Sequence, residues 1–346
     1  MSGRLLLLLA MLWCAVAAAQ QPALRFGILP NSDPLEARNE WAPVLAGMSR
    51  ALGRAVEPLS LTSYDALEAA LRRGDVDLAL LSGQLALEAA TRQSMVVLAQ
   101  ARHDDPGCCR SVLVARRDAM PGTLDQMLTM PGRWRLARGE QQSMAGYLVP
   151  WLQLFLPRHI RPESFFVSET EGYHQSNALA VANGEADLGI TTSGDLERFS
   201  RRFPQEYRRL AVLWRSAQFP DAHLLARRDL PAPLLERLQA WLTAYGRTPG
   251  PGGDAERAAL RQLRDFSGFT AADDTALLST AQLVYQLARQ SALQSRWVND
   301  DALQARLRRV DRDYAGLTAM LEAEGGMPPM PARTQVPVVP VSDTRR

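Results

Sequence analysis

The chain has 346 residues, 47% hydrophobic and 22% charged, which excludes an unfolded chain and is enough for one large or two medium domains. All 39 basic residues are arginine, so chemistry that needs a lysine amine, such as a Schiff base or a P-loop phosphate contact, is closed to it. Against 37 acidic residues the formal charge is only +2. A nucleic-acid binder would show a basic excess, so the expected partner is a small molecule.

Residues 1–19 read as a secretory signal peptide. Arg4 supplies the positive start, Leu5 to Val16 the apolar run, and Ala17-Ala18-Ala19 the small residues for cleavage. The apolar run is too short for a membrane span. Once this segment and Cys14 are removed, only Cys108 and Cys109 remain. Adjacent cysteines cannot form a long-range staple, which leaves thiols, a strained bridge, a soft-ligand site or inert packing.

From residue 24 the pattern alternates strand and helix. Leu24 to Leu29 reads as a buried strand, Glu36 to Leu52 as a helix ended by Gly53, and Val56 to Leu61 as a strand. Ser63 is placed to cap a helix over Tyr64 to Arg73, which Gly74 stops before a strand from Val76 to Leu81. The middle repeats the plan, with strands at 111–116, 134–137, 164–167 and 186–190 and helices at 123–130, 143–155 and 177–183. Such alternation predicts mainly parallel sheets with helices on their faces and a ligand at the strand ends. Val112 to Asp118 echoes His223 to Asp229, which suits two strands on either side of an inserted lobe. Beyond Asp229 the chain is expected to be helical, with a Pro/Gly loop from Pro249 to Gly253, up to about Glu324. The proline-rich tail 325–346 is expected to be disordered.

Several ordered segments resemble the periplasmic phosphonate- and phosphite-binding proteins of ABC importers. They are Leu24 to Pro34, Ser63 to Leu71, Gly74 to Ala79, Arg110 to Val114, Ser143-Met144-Ala145-Gly146-Tyr147-Leu148-Val149-Pro150, and Tyr173-His174 with Ala178 to Asp187. The resemblance spans about residues 24–270. It implies an α/β, two-lobed periplasmic binding protein fold of type II: a first lobe over 20–113, a second over 114–221, and a return to the first over 222–324. It also implies a periplasmic location, a small oxyanion ligand of phosphonate, phosphite or phosphate type, an ABC permease as partner, and no cofactor or metal. Self-association through the C-terminal helices is a further expectation.

The chemistry of such a site has its own logic. A helix start aims unpaired N–H groups and a positive dipole end at an oxyanion. Ser143 adds a hydroxyl, His174 a ring donor, and Tyr64, from the opposite lobe, a phenol. Donors from two lobes make closure ligand-dependent.

Departures from the family pattern narrow the ligand. Ser143-Met144-Ala145 stands where the family has Ser-Thr-Ser, Leu87 where it has a tyrosine, and Thr191 and Thr192 where it has an aspartate. A pocket lined by Tyr64, Ser143, Met144, Ala145, His174 and Thr192 should be more apolar and a poor host for an aminoalkylphosphonate. The alternative is thiol ligation by Cys108 or Cys109, as in arsenite-type sensors that signal to a membrane histidine kinase. The four histidines form no close-spaced metal or catalytic motif, so no enzyme is expected.

Overall fold

In the computed structural model, residues 22–29, 32–104, 109–120, 122–220, 222–263 and 266–324 are described. The expected signal peptide, Cys108 and the expected tail lie outside these residues. The fold is α/β, with two mixed sheets flanked by helices.

The first sheet holds β1 (Leu24–Ile28), β2 (Val56–Ser60), β3 (Leu78–Leu81), β4 (Met95–His103), β10 (His223–Arg227) and β11 (Phe266–Ala271), in the order β11-β4-β10-β3-β1-β2. The second holds β5 (Ser111–Arg116), β6 (Arg135–Arg138), β7 (Ser168–Glu171), β8 (Leu188–Thr192) and β9 (Leu210–Arg215), in the order β7-β6-β8-β5-β9. The chain leaves the first sheet after His103, enters the second at Ser111 and returns between Arg215 and His223. Mainly parallel sheets were the expectation. The strands next to the crossovers run against their neighbours: β10 is antiparallel to β3 and β4, and β5 is antiparallel to β8 and β9.

Set side by side, β2-β1-β3-β10-β4 and β7-β6-β8-β5-β9 are the same arrangement. The echo between Val112–Asp118 and His223–Asp229 falls on β5 and β10, which hold equivalent places. A shared pin fixes each sheet. Arg25 N donates to Asp77 Oδ2 at 2.8 Å and its guanidinium to Gly74 O at 2.9 Å, while Asp77 N returns a bond to Arg25 O at 2.9 Å. In the second sheet Arg135 N donates to Asp187 Oδ2 at 2.8 Å and its guanidinium to Gly184 O at 2.9 Å, and Asp187 N returns to Arg135 O at 3.0 Å. Gly74 and Gly184 both take positive φ, 72° and 79°, where a Cβ is strained. Every residue of the second pin lies 110 positions after its counterpart in the first.

The helices follow their caps. In α1 (Pro34–Leu52), Asp33 accepts from Leu35 N and Glu36 N, and Gly53 ends the helix in the left-handed region. Ser63 accepts from Ala66 N at the start of α2 (Tyr64–Arg72). Next come α3 (Gly83–Arg92), α4 (His174–Asn183), ended by Gly184, and α5 (Ser193–Arg202).

Three expectations are corrected. Residues 164–167 are not a strand: Pro162 favours a helical turn over Pro162–Phe165, and the strand begins at Ser168. The Pro/Gly loop is shorter than expected because Pro251, at the first helical position, opens α7 (Pro251–Gln262), which follows α6 (Ala232–Ala244). The region beyond Asp229 also contains β11, whose buried Phe266 and Phe269 pair it with β4.

The last helices, α8 (Leu278–Gln294) and α9 (Asp300–Glu324), pack on each other and on α3. Tyr285 stacks on Tyr314 at 4.4 Å, and Leu321 is buried in the α3 core. Leu293 and Met320, on the same two helices, remain exposed.

The pin gives a pH-dependent stability. The hydrogen bond from Arg135 holds the Asp187 carboxyl below its usual range, so its contribution is present above the unfolded value and is lost as pH falls through the folded one. Asp187→Asn should cost roughly 1 kcal/mol at pH 7. The gap from the unsubstituted chain should close below the ordinary carboxylate range when denaturant melts are compared across pH.

Candidate functional site

Between the two sheets lies a cavity of about 340 Å³, lined from both sides. Tyr64, Ser143, Met144, Ala145, His174, Thr192 and Cys109 all face it, so every expected site residue within the described part of the chain converges there.

Its centre is a helix start. Ser143 is 3% exposed, and its hydroxyl accepts from Gly146 N at 3.0 Å. It is therefore an N-cap, yet a hydroxyl that accepts one bond still has a proton to donate. The first N–H groups beyond it, of Met144 and Ala145, have no acceptor within their own helix. The helix runs over 144–155 and is wound wide: Leu148 N bonds to Ser143 O, Val149 N to Met144 O and Leu156 N to Trp151 O. Pro150 supplies no N–H and crowds the carbonyl four residues back, which accounts for the loosened turns. A Cβ on Gly146 would lie 2.7 Å from Gly139 Cα and 2.8 Å from Ser143 Oγ. The helix can start here only because position 146 has no side chain.

The 110-residue offset continues into the cleft. Tyr64 and His174 each open a helix, α2 and α4, and are 3% and 5% exposed. Ser82 and Thr192 precede α3 and α5, and all four line the cavity. The counterpart of Ser143 is Asp33. In the first lobe that helix start is capped by its own carboxylate, whereas in the second it is capped by a neutral hydroxyl. Only the second suits an external anion.

The hydroxyl of Thr192 is committed to its cap, accepting from Asp195 N at 3.0 Å and donating to Asp195 Oδ2 at 2.7 Å. Asp195, 8% exposed and paired with Arg198, brings to the wall a carboxylate that the sequence reading did not expect. The signal for it was the Thr-x-x-Asp spacing of a helix cap. Leu87 is buried in the α3 core away from the cleft wall, and Thr191 is fully buried in β8. Cys109 is 7% exposed, with its sulfur 3.6 Å from His103 Nδ1. Among the described residues no group of three or more His, Cys, Asp or Glu could hold a metal.

Across the cleft the lobes are joined by polar contacts. The Glu140 carboxylate, two residues after β6, accepts from Tyr64 N at 3.0 Å and so caps α2 from the opposite lobe. Gln142 donates to Asp65, Tyr173 Oη to Thr62 O at 3.3 Å, and Arg202 pairs with Glu36. Burial pushes the Glu140 carboxyl above its usual range; the Tyr64 N–H opposes this, and the charges of Glu171 and Asp65 reinforce it. The nearby Arg138 guanidinium is matched by Glu169 and Glu171 and lies over the Tyr147 ring at 4.9 Å. Glu140 had no signal in the sequence, because its partner is 76 positions away.

Residues 26–277 match the family described as ABC transporter, phosphonate, periplasmic substrate-binding protein. The chain belongs to this family. It is 28% identical, over 88% of its own length and 91% of the relative's, to the phosphonates-binding periplasmic protein of Escherichia coli K12. The structure of a binding protein component of an ABC phosphonate transporter from Pseudomonas aeruginosa superposes with a TM-score of 0.79 at 27% identity, covering 88% of this chain and 99% of that one. A Prochlorococcus marinus protein solved with methylphosphonate shares the fold, with a TM-score of 0.66 at 18% identity, over 78% of this chain and 98% of that one. The family is one of transport receptors with a small-molecule ligand and a membrane permease, so the histidine-kinase sensor alternative is not favoured. Among the described residues no helix is long and apolar enough to cross a membrane.

Two outcomes test this geometry. Gly146→Ala should displace Ser143 and cost about 1–3 kcal/mol of stability from overpacking, read by denaturant unfolding. For Glu140, the raised folded value means that the cost of burying its charge appears as pH rises through that value and is absent well below it. Glu140→Gln keeps an acceptor for Tyr64 N without the charge. Its melting temperature should exceed that of the unsubstituted chain at pH 7 and converge with it toward pH 4.

Proposed function

We propose that this chain captures a small oxyanion of the phosphonate, phosphite or phosphate type in the interlobe cleft, leaves it chemically unchanged, and presents it to an ABC permease. The observation that carries this reading is the buried, neutral Ser143 helix start facing a cavity whose other walls hold His174 and Tyr64. The hydroxyl of Ser143 and the N–H groups of Met144 and Ala145 would take the oxyanion from the second lobe, with the His174 ring beside them and the Tyr64 phenol opposite. Thr192 would position α5 rather than donate. Residues 1–19 would direct export, and the segments 20–113 and 222–324 would close against 114–221 about the two crossovers. An anion gripped from both lobes stabilises the closed form by the difference between its affinities for the closed and open forms.

Titration calorimetry with phosphate, phosphite and methylphosphonate tests this. At least one should bind, and Ser143→Ala and His174→Ala should each weaken it by about 1–3 kcal/mol, the range for a hydrogen bond to a charged group. Cys109→Ser should leave the affinity within twofold. Unchanged affinity in both Ser143→Ala and His174→Ala would remove the helix start as the site.

A further inference from the structure

The N-terminus of α2 is closed from two directions. Ser63 caps it from within, accepting from Ala66 N at 3.1 Å, while the first N–H groups of a helix, here those of Tyr64 and Asp65, have no acceptor in the helix itself. The second lobe supplies one, because Glu140 takes Tyr64 N at 3.0 Å. It also reaches the chain on either side of Tyr64. The Tyr173 phenol donates to Thr62 O at 3.3 Å, and Gln142 donates to the Asp65 carboxylate. Residues 62–65 are thus held at a carbonyl, an N–H and a carboxylate, all by side chains of the other lobe.

The N-caps of α2 and α4 are used differently. Tyr173 stands 110 positions after Ser63, each at the N-cap of its helix. Ser63 caps its own helix, whereas Tyr173 makes no side-chain cap bond to α4 and sends its hydroxyl to Thr62 instead. A further tie joins α5 to α1, where Arg202 in the last turn of one pairs with Glu36 in the first turn of the other. Each charge sits at the helix end whose dipole it complements.

Apart from Tyr64, which is held by its backbone, none of these residues lines the cavity. Both partners of every bond belong to the chain, so the bonds can form whatever the cavity holds. A hydrogen bond shifts an equilibrium by roughly two- to tenfold net, and these are made or broken by one movement of the lobes. The same bonds fix the first turn of the helix from which the Tyr64 phenol faces the cleft.

We propose that Glu140, Gln142 and Tyr173 form a clasp on residues 62–65 that holds the two lobes together in the ligand-free chain and sets the Tyr64 phenol in place before a ligand arrives. The clasp rests on the two-lobed closure proposed above and not on the identity of the anion. Glu140 and Tyr173 are then positioning residues, and a ligand adds its bonds to a closed form that is already populated.

Amide exchange followed residue by residue by NMR on the ligand-free chain, in phosphate-free buffer at neutral pH, tests the clasp, because opening returns Tyr64 N–H to water. Its exchange should be at least tenfold faster in Glu140→Ala than in the unsubstituted chain. Arg73 N–H, bonded to Ala69 O at the far end of the same helix, should keep its rate within twofold. Glu140→Gln retains an oxygen acceptor without the charge that burial, Glu171 and Asp65 disfavour, and should restore the slow exchange. Tyr173→Phe, which removes one hydroxyl from a half-buried ring, should speed Tyr64 N–H by about two- to fivefold. Small-angle scattering reads the lobe separation: the radius of gyration of ligand-free Glu140→Ala/Tyr173→Phe should exceed that of the unsubstituted chain. The clasp is wrong if the unsubstituted chain exchanges Tyr64 N–H as fast as Glu140→Ala does, or if the double variant has the unsubstituted radius.

Discussion

The architecture depends on a buried pair of serines where the two crossovers meet. Ser111, at the start of β5, is fully buried. Its N–H donates to Ser216 Oγ at 2.9 Å, and its carbonyl accepts from Ser216 N at 2.9 Å. The Ser111 hydroxyl then donates to Ala145 O at 2.7 Å. The outgoing strand, the returning segment and the helix start are thereby tied at one point. Phe219 N to Cys109 O at 3.1 Å and the Arg110 guanidinium to Ser216 O at 2.8 Å extend the same seam. Because buried polar groups without partners are costly, this cluster fixes where the helix start sits relative to the axis about which the lobes would move.

Around that seam the chain uses one design twice. Equivalent strand orders and Arg–Gly–Asp pins set the two sheets, and the matched helix starts at Tyr64 and His174 and caps at Ser82 and Thr192 face one another across the cleft. The symmetry is broken at Asp33 and Ser143, where a carboxylate and a hydroxyl hold corresponding positions. A helix start closed by its own negative charge repels an anion, whereas one closed by a hydroxyl attracts it. One side-chain difference therefore sets the two helix starts apart.

The absence of lysine shapes the electrostatics. Arginine forks serve as both ion-pair partners and carbonyl donors, as when Arg135 spans Gly184 O and Asp187 or Arg257 spans Gly246 O and Asp254. A planar guanidinium makes several fixed bonds at once. An oxyanion held at Ser143, as proposed, would be met there by neutral donors at a helix start.

The sequence by itself determined the alternation of strands and helices, the caps at Ser63, Gly53, Gly74 and Gly184, and the Ser143 helix start; its company with Tyr64 and His174 came only from the family resemblance. These rest on local periodicity, on backbone conformations that favour glycine, and on motifs contained within a few residues. Only the tertiary structure decided what depends on distant partners. The antiparallel strands at the crossovers, the Glu140 carboxylate on the α2 N-terminus, Asp195 on the cleft wall and the aromatic surface of Trp41 and Phe266 each join residues far apart in the chain. The correspondence between the two lobes is faint in the sequence for a related reason. The positions that match across it are pins and caps set by backbone geometry, and the stretches between them differ in sequence.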